Sequence, residues 1–286
     1  MHAAIRGTTL YFDVEGAGLV PDGPMMRERP AAIVIHGGPG GDHSGFKPAM
    51  SPLADAMQLV YFDHRGQGRS GRSDPARYTL DENVEDMEAL RRHLGLGPVA
   101  SIGTSYGGMV AMAHAARFPE AVSKLVLIVT AAHGGFVPRA ERFVRDHGTP
   151  EQQRACERLW SGTFETAGQM AEYYAAMGPL YSLRHDPAAA EATRGRATYA
   201  PEPLNRAFGP GGVLRSFDLR PEIARIAAPT LVLAGRHDWI CPPAFSEEIH
   251  RLIPGSRLRV FEDSSHSIRA DEPDALNAAI RDFVAA

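Results

Sequence analysis

Residues 99–112 read Val-Ala-Ser-Ile-Gly-Thr-Ser-Tyr-Gly-Gly-Met-Val-Ala-Met, with one candidate nucleophile, Ser105, between Gly103 and Gly107. G-x-S-x-G between a strand and a helix is the pattern of a nucleophile turn, in which a strained backbone lifts the hydroxyl clear of its surroundings. Glycines two before and two after the serine keep side chains from colliding across so tight a bend. The helix that follows favours negative charge near the serine oxygen. A hydroxyl is a weak nucleophile by itself; it needs a base, and the base needs an acid to orient it. Where such turns occur, the chain order is Ser, then Asp or Glu, then His. Two downstream segments supply that order: Gly235-Arg236-His237-Asp238-Trp239 and Ser264-Ser265-His266-Ser267. The chain holds twelve histidines, and placement singles out His266, in a loop between the last strand and the last helix. His237 is the rival, read as a solvated neighbour of Asp238.

The chemistry also needs donors for a developing alkoxide. Val34-Ile35-His36-Gly37-Gly38-Pro39-Gly40 ends a strand in glycines, where backbone N–H groups can turn toward a reacting oxygen. The expected donors are the N–H of Gly38 and that of Tyr106, the residue after the nucleophile. A phosphate-binding loop is the competing reading, but neither G-x-x-x-x-G-K-[ST] nor G-x-G-x-x-G occurs.

These pieces need a scaffold that gathers strand ends. Short apolar or alternating runs predict strands at 8–16, 31–36, 58–66, 99–103, 124–129, 230–235 and 257–262. Helical spacing marks 80–96, with acids early and bases late, then the segment through Arg117, 244–253 and 273–284. The Pro- and Gly-rich stretch between the first two strands reads as a hairpin or loop. Strands alternating with helices predict an α/β fold with a mostly parallel sheet covered on both faces. Such sheets bind ligands at the C-terminal ends of their strands, where every segment above sits. From about 132 to 213 the pattern changes to helical stretches without a buried strand. The expected organisation is a core of 1–131 and 214–286 with a helical cap of 132–213.

Composition excludes several other classes. Of 286 residues, 44% are hydrophobic and 22% charged, with a formal net charge of −4, as expected for a globular α/β protein. No basic stripe suits nucleic acid and no polybasic segment suits an anionic membrane. The N-terminus lacks a charged start followed by an apolar run, and no window approaches a membrane span; the expected location is the cytoplasm. Cys156 and Cys241 form no disulfide framework and have no metal-ligand spacing.

Taken together, His36-Gly37-Gly38-Pro39-Gly40, Asp63-His64-Arg65-Gly66-Gln67-Gly68-Arg69-Ser70, Gly103–Gly108, Gly235–Asp238 and Ser265-His266 resemble α/β-hydrolases of the proline iminopeptidase group. The resemblance covers nearly the whole core and is weak across the cap. It implies an α/β-hydrolase fold with Ser105 as nucleophile, His266 as base and acid, and Asp238 as its orienting partner. It implies no metal or organic cofactor. It also makes Asp63 and Arg65 structural, suited to a buried charge pair. The group holds a substrate's amino group with acidic residues. Here Trp239 follows the candidate acid and Gly212 replaces a familiar glutamate, while Glu165, Glu172, Glu191 and Glu202 read as solvated carboxylates.

The expectation is a serine hydrolase that cleaves small amides or short peptides, or esters, through an acyl-enzyme. Gly37, Trp239, Phe136, Trp160, Tyr173 and Tyr174 are candidates for an apolar pocket; packing between cap and core is the competing reading for the aromatics. Cys241, near Asp238, is read as a bystander. A carboxylesterase or lactonase without peptidase activity is the alternative. A non-catalytic ligand-binding protein on the same scaffold is the reading from a different class.

Overall fold

The computed structural model describes residues 1–286. Its sheet has eight strands: β1 (His2–Ile5), β2 (Thr8–Glu15), β5 (Ala31–Ile35), β6 (Gln58–Phe62), β7 (Val99–Thr104), β8 (Val122–Ile128), β9 (Thr230–Gly235) and β10 (Arg257–Phe261). Their spatial order is β1-β2-β6-β5-β7-β8-β9-β10. β1, β2 and β6 pair antiparallel, and every pairing from β6 to β10 is parallel. The β7 and β9 strands are buried along their whole length, as their near-continuous apolar sequences demand.

The Pro- and Gly-rich stretch forms a separate two-stranded ribbon of β3 (Leu19–Asp22) and β4 (Met25–Glu28). Three differences from the sequence reading have simple causes. β1 is only four residues long and pairs with β2 at the sheet edge, too short for its alternation to register. β6 stops at Phe62 rather than 66, because Asp63 and the residues after it turn away to bond with other loops. β8 begins at Val122, two residues early, with a register shift at the β7 pairing.

Helices α1 (Lys47–Met50), α2 (Leu80–His93) and α3 (Tyr106–Arg117) belong to the N-terminal half, and α10 (Arg220–Ile223), α11 (Pro243–Leu252), α12 (Ile268–Asp271) and α13 (Pro273–Ala285) to the C-terminal half. One apolar core lies on each face of the sheet. The larger includes α2, α3 and α11 side chains such as Met87, Met109 and Ile249. The smaller is closed by Phe46, Leu276, Ile280 and Phe283. α2 starts on Thr79, whose hydroxyl accepts from Glu82 N–H, a satisfied N-terminal cap.

Between β8 and β9 the chain lays down helices and no sheet strand: α4 (Phe136–His147), α5 (Pro150–Ser161), α6 (Ala167–Tyr181), α7 (Pro187–Arg196), α8 (Pro201–Phe208) and α9 (Val213–Ser216). α5 opens with a reciprocal cap between Thr149 and Gln152 and ends on Gly162 in the left-handed region, as helix-end physics favours. Phe136, Leu159, Met170 and Leu204 carry this insert into the larger core. No helix is long and apolar enough to cross a membrane.

Candidate active site

Ser105 sits at the joint between β7 and α3 with φ 53°, ψ −120°, a backbone state that L-residues resist. Its N–H donates to Ile128 O at 2.8 Å, and its carbonyl accepts from Thr130 Oγ1 at 2.7 Å. Hydrogen bonds from the end of β8 and the residues just after it therefore hold the strained residue. The glycines are a steric necessity here. A Cβ on Gly103 would lie 2.3 Å from Gly107 O, and one on Gly107 would lie 2.2 Å from Ile35 O.

His266, in the loop before α12, places Nε2 3.0 Å from Ser105 Oγ and Nδ1 2.8 Å from Asp238 Oδ2. A carboxylate only accepts, so Nδ1 carries the proton toward Asp238 and Nε2 is free to accept from the hydroxyl. The other Asp238 oxygen accepts the N–H groups of Ile240 at 2.8 Å and Cys241 at 3.0 Å. Asp238 is buried, and this network fixes its orientation. The structure thus brings together Ser105, Asp238 and His266, from chain positions up to 161 residues apart. The rival His237 is exposed at the surface.

Gly37 lies against the serine: a Cβ there would stand 3.2 Å from Ser105 Cβ. Gly38 has φ +121°, which glycine alone tolerates well. Tyr106 is the first residue of α3, so its N–H has no partner within the helix. Its ring is buried, with the hydroxyl accepting from Asn83 Nδ2 at 2.7 Å, and burial pushes that hydroxyl's pKa up. Gly38 and Tyr106 both border the cavity beside Ser105.

Behind this loop lies an unexpected polar layer. His36 Nδ1 donates to Gly37 O at 2.7 Å, and its Nε2 accepts from His64 N–H at 3.1 Å. Burial lowers the pKa of both imidazoles. The expected Asp63–Arg65 pair does not form. Asp63 instead contacts His43 Nδ1 at 2.7 Å and accepts the backbone N–H groups of His43 and Arg69. Arg65, wholly buried, reaches Asp86 on α2 with Nε at 2.8 Å and Nη2 at 2.6 Å. Consecutive turns point the two side chains apart, so each is neutralised by a different element.

A cavity of about 510 Å³ opens in front of Ser105. All six pocket candidates line it: Gly37, Trp239, Phe136, Trp160, Tyr173 and Tyr174. They are joined by Tyr181 and Tyr199, which the sequence reading did not single out. Tyr181 packs its ring 5.6 Å from His266 and 5.8 Å from Trp239, while Tyr174 and Tyr199 stack at 5.3 Å. Cys241 is buried and lies outside the lining. None of Glu165, Glu172, Glu191 and Glu202 reaches the cavity. Its carboxylates are Asp42, which accepts from Ser44 and Thr198 N–H, and Asp186, which caps α7. No cluster of His, Cys, Asp and Glu could hold a metal ion.

The α/β hydrolase fold family matches residues 30–273 of this sequence. The chain belongs to the α/β-hydrolase family, among its proline iminopeptidase-like members. A relative from Pestalotiopsis fici, proline iminopeptidase PfmaB, is 31% identical over 278 residues, covering 95% of this chain and 97% of its own. Proline iminopeptidase from Saccharolobus solfataricus is 28% identical, covering 88% of this chain and 84% of its own. The crystal structure of proline iminopeptidase from Mycobacterium smegmatis shares the fold with a TM-score of 0.77 at 23% identity, covering 100% of this chain and 97% of that one. The protein is accordingly a hydrolase.

Proposed function

We propose that this hydrolase cleaves small amides or short peptides, or esters, through an acyl-enzyme on Ser105. The observation that carries this reading is the unbroken run of contacts Ser105 Oγ–His266 Nε2 at 3.0 Å and His266 Nδ1–Asp238 Oδ2 at 2.8 Å. His266 takes the hydroxyl proton as Ser105 attacks the substrate carbonyl carbon, and the carbonyl oxygen becomes an anion. Gly38 and Tyr106 N–H donate to that oxygen; losing one donor from such a pair costs about 10²–10³ in rate. Asp238 holds the imidazole in the tautomer that can accept, and stabilises the imidazolium that forms. His266 then delivers the proton to the leaving nitrogen or oxygen, the carbonyl re-forms, and the leaving group departs. A water activated by the same imidazole releases the acyl group and restores the serine.

Residues 132–213 act in this reading as a cap whose aromatics line an acyl pocket with Phe136, Trp160, Tyr173, Tyr174 and Trp239. The curated relatives favour a peptidase. The ester-cleaving alternative draws on the cavity itself, whose two carboxylates are both engaged by backbone N–H groups.

A fluorophosphonate probe tests the mechanism. It labels the wild-type protein and leaves Ser105→Ala unlabelled; an unlabelled wild type overturns the reading in favour of ligand binding without catalysis. Amino-acid anilides set beside nitrophenyl acyl esters then separate peptidase from esterase, since cleavage of esters alone removes the peptidase reading.

A further inference from the structure

The cavity in front of Ser105 has two chemically different halves. One half is walled by rings and alkyl groups from α4, α5, α6 and α8, among them Phe136, Leu159, Tyr173 and Phe208. The other is bordered by four arginines: Arg184, Arg194 and Arg196 around α7, and Arg269 on α12. Only Asp42 and Asp186 oppose them: Asp42 accepts backbone N–H groups through both oxygens, and Asp186 accepts two through Oδ1. The local balance is positive on a chain whose formal net charge is −4.

Arg269 is the built member of this set. Its guanidinium carbon lies 4.5 Å from the centroid of the Phe46 ring, and Nε donates to Gly45 O at 3.2 Å. These contacts fix the side chain and leave its two terminal nitrogens without a carboxylate partner. The nearby Asp271 does not serve, being occupied by Ser182 Oγ, Arg184 N–H and Ser265 N–H. Arg269 is half-buried, so a stacked cation without a counter-ion is left to be paired by a ligand that supplies one. Arg269 follows His266 by three residues, so their Cα atoms are separated by no more than about 11 Å. A planar guanidinium with both terminal nitrogens free suits a carboxylate, which it can grip with two parallel bonds.

The direction of the reaction places that carboxylate on one side of the scissile bond. An acyl-enzyme loses its leaving group first, and the leaving group needs an open path. The arginine half provides it: Arg184 and Arg196 are exposed to solvent, whereas Phe136, Leu159, Tyr173 and Phe208 are buried. We infer that the preferred substrate is an acylated amino acid or dipeptide whose leaving group carries a free α-carboxylate, held by Arg269 and drawn in by Arg184, Arg194 and Arg196. This inference deepens the hydrolase reading and rests on it for which end of the substrate faces the mouth.

Binding to the full-length Ser105→Ala protein tests it without requiring turnover. The probes are N-(3-phenylpropanoyl)-alanine and its C-terminal amide, a pair differing only in the charge of the terminal group. Titration calorimetry should show the acid binding about tenfold tighter than the amide, the scale of a charge-assisted bond. Adding Arg269→Gln should bring the two within about threefold, while Arg269→Lys keeps part of the preference. Should Arg269→Gln fail to fold, the surface double substitution Arg194→Gln/Arg196→Gln decides, by weakening the preference for the acid and its salt dependence. Equal affinities in the Ser105→Ala protein, or a preference untouched by either set of substitutions, overturn the carboxylate site. Cleavage of the acid by the Ser105→Ala protein strikes the Ser105 reading instead, and the acid-to-amide ratio still judges Arg269.

Discussion

Asp238 accepts three hydrogen bonds, two of them from the backbone of the loop that carries it. The asparagine variant can keep Ile240 and Cys241 bonded through its amide oxygen, but then turns an NH2 group toward His266 Nδ1. Nδ1 must accept that bond, the proton moves to Nε2, and the imidazole loses its capacity to take the Ser105 proton. Asp238→Asn should therefore keep the wild-type circular dichroism spectrum and lower kcat by about 10⁴ on a nitrophenyl ester. Near-normal turnover would show that another acid orients the imidazole. These three residues were legible because each stands in a loop after a strand, flanked by small or turn-forming residues with few structural uses in that pattern. Arg269 carried no such signal. Its setting depends on Phe46 and Gly45, more than 220 positions earlier, and on the helical insert; no local pattern encodes that neighbourhood.

The element that positions Ser105 tolerates almost no added volume. β7 delivers Ser105 and α3 leaves at once, and the crossing brings Gly107 against the end of β5. A methyl group on Gly107 would lie 2.2 Å from Ile35 O and 2.7 Å from His36 O, both backbone atoms that cannot swing aside. Gly107→Ala should destabilise the fold by about 2–4 kcal/mol, as overpacked backbone contacts do, and reduce activity more than stability alone explains. Urea unfolding with parallel esterase assays checks both, and a wild-type midpoint would contradict the packing argument. The parallel strands and major helices were readable because apolar runs and helical periodicity are local. Long-range polar pairing was not. Arg65 and Asp63 are two positions apart, yet their partners, Asp86 and His43, come from α2 and from the loop before α1. The resemblance suggested a charge pair between them, but nothing local in the sequence shows which distant element each side chain meets. The short β1 escaped notice because four residues are too few for an alternating pattern to stand out.

At the scale of the whole molecule, three buried imidazoles connect stability to pH. His36, His64 and His114 each have their pKa lowered chiefly by burial, so the folded chain keeps them neutral where the unfolded chain begins to charge them. For a histidine of ordinary pKa near 6.5, the unfolded state then binds more protons as pH falls below that value. Stability is fully retained above about pH 7 and declines on acidification, by up to about 1.4 kcal/mol per pH unit for each such histidine. A second decline belongs to lower pH. Glu88 is held down to about 2, with hydrogen bonds from Arg91 and His114 outweighing the opposing effect of its burial. Its contribution persists above the ordinary glutamate range and is lost as pH falls from about 4.5 toward 2. The two declines differ in where they act. His36 and His64 lie directly behind Gly37 and the strained turn, and charging His36 removes the Nε2 acceptor that ties His64 N–H to the end of β5, where the loop bearing Gly38 begins. Urea midpoints should fall between pH 7.5 and 5.5 and fall again below about pH 4.5. The fluorophosphonate labelling rate should decline together with the urea midpoint across the first interval. Midpoints unchanged from pH 7.5 to 5.5 would mean that the buried imidazoles charge in place, and that the polar layer behind the loop opens to water at little cost.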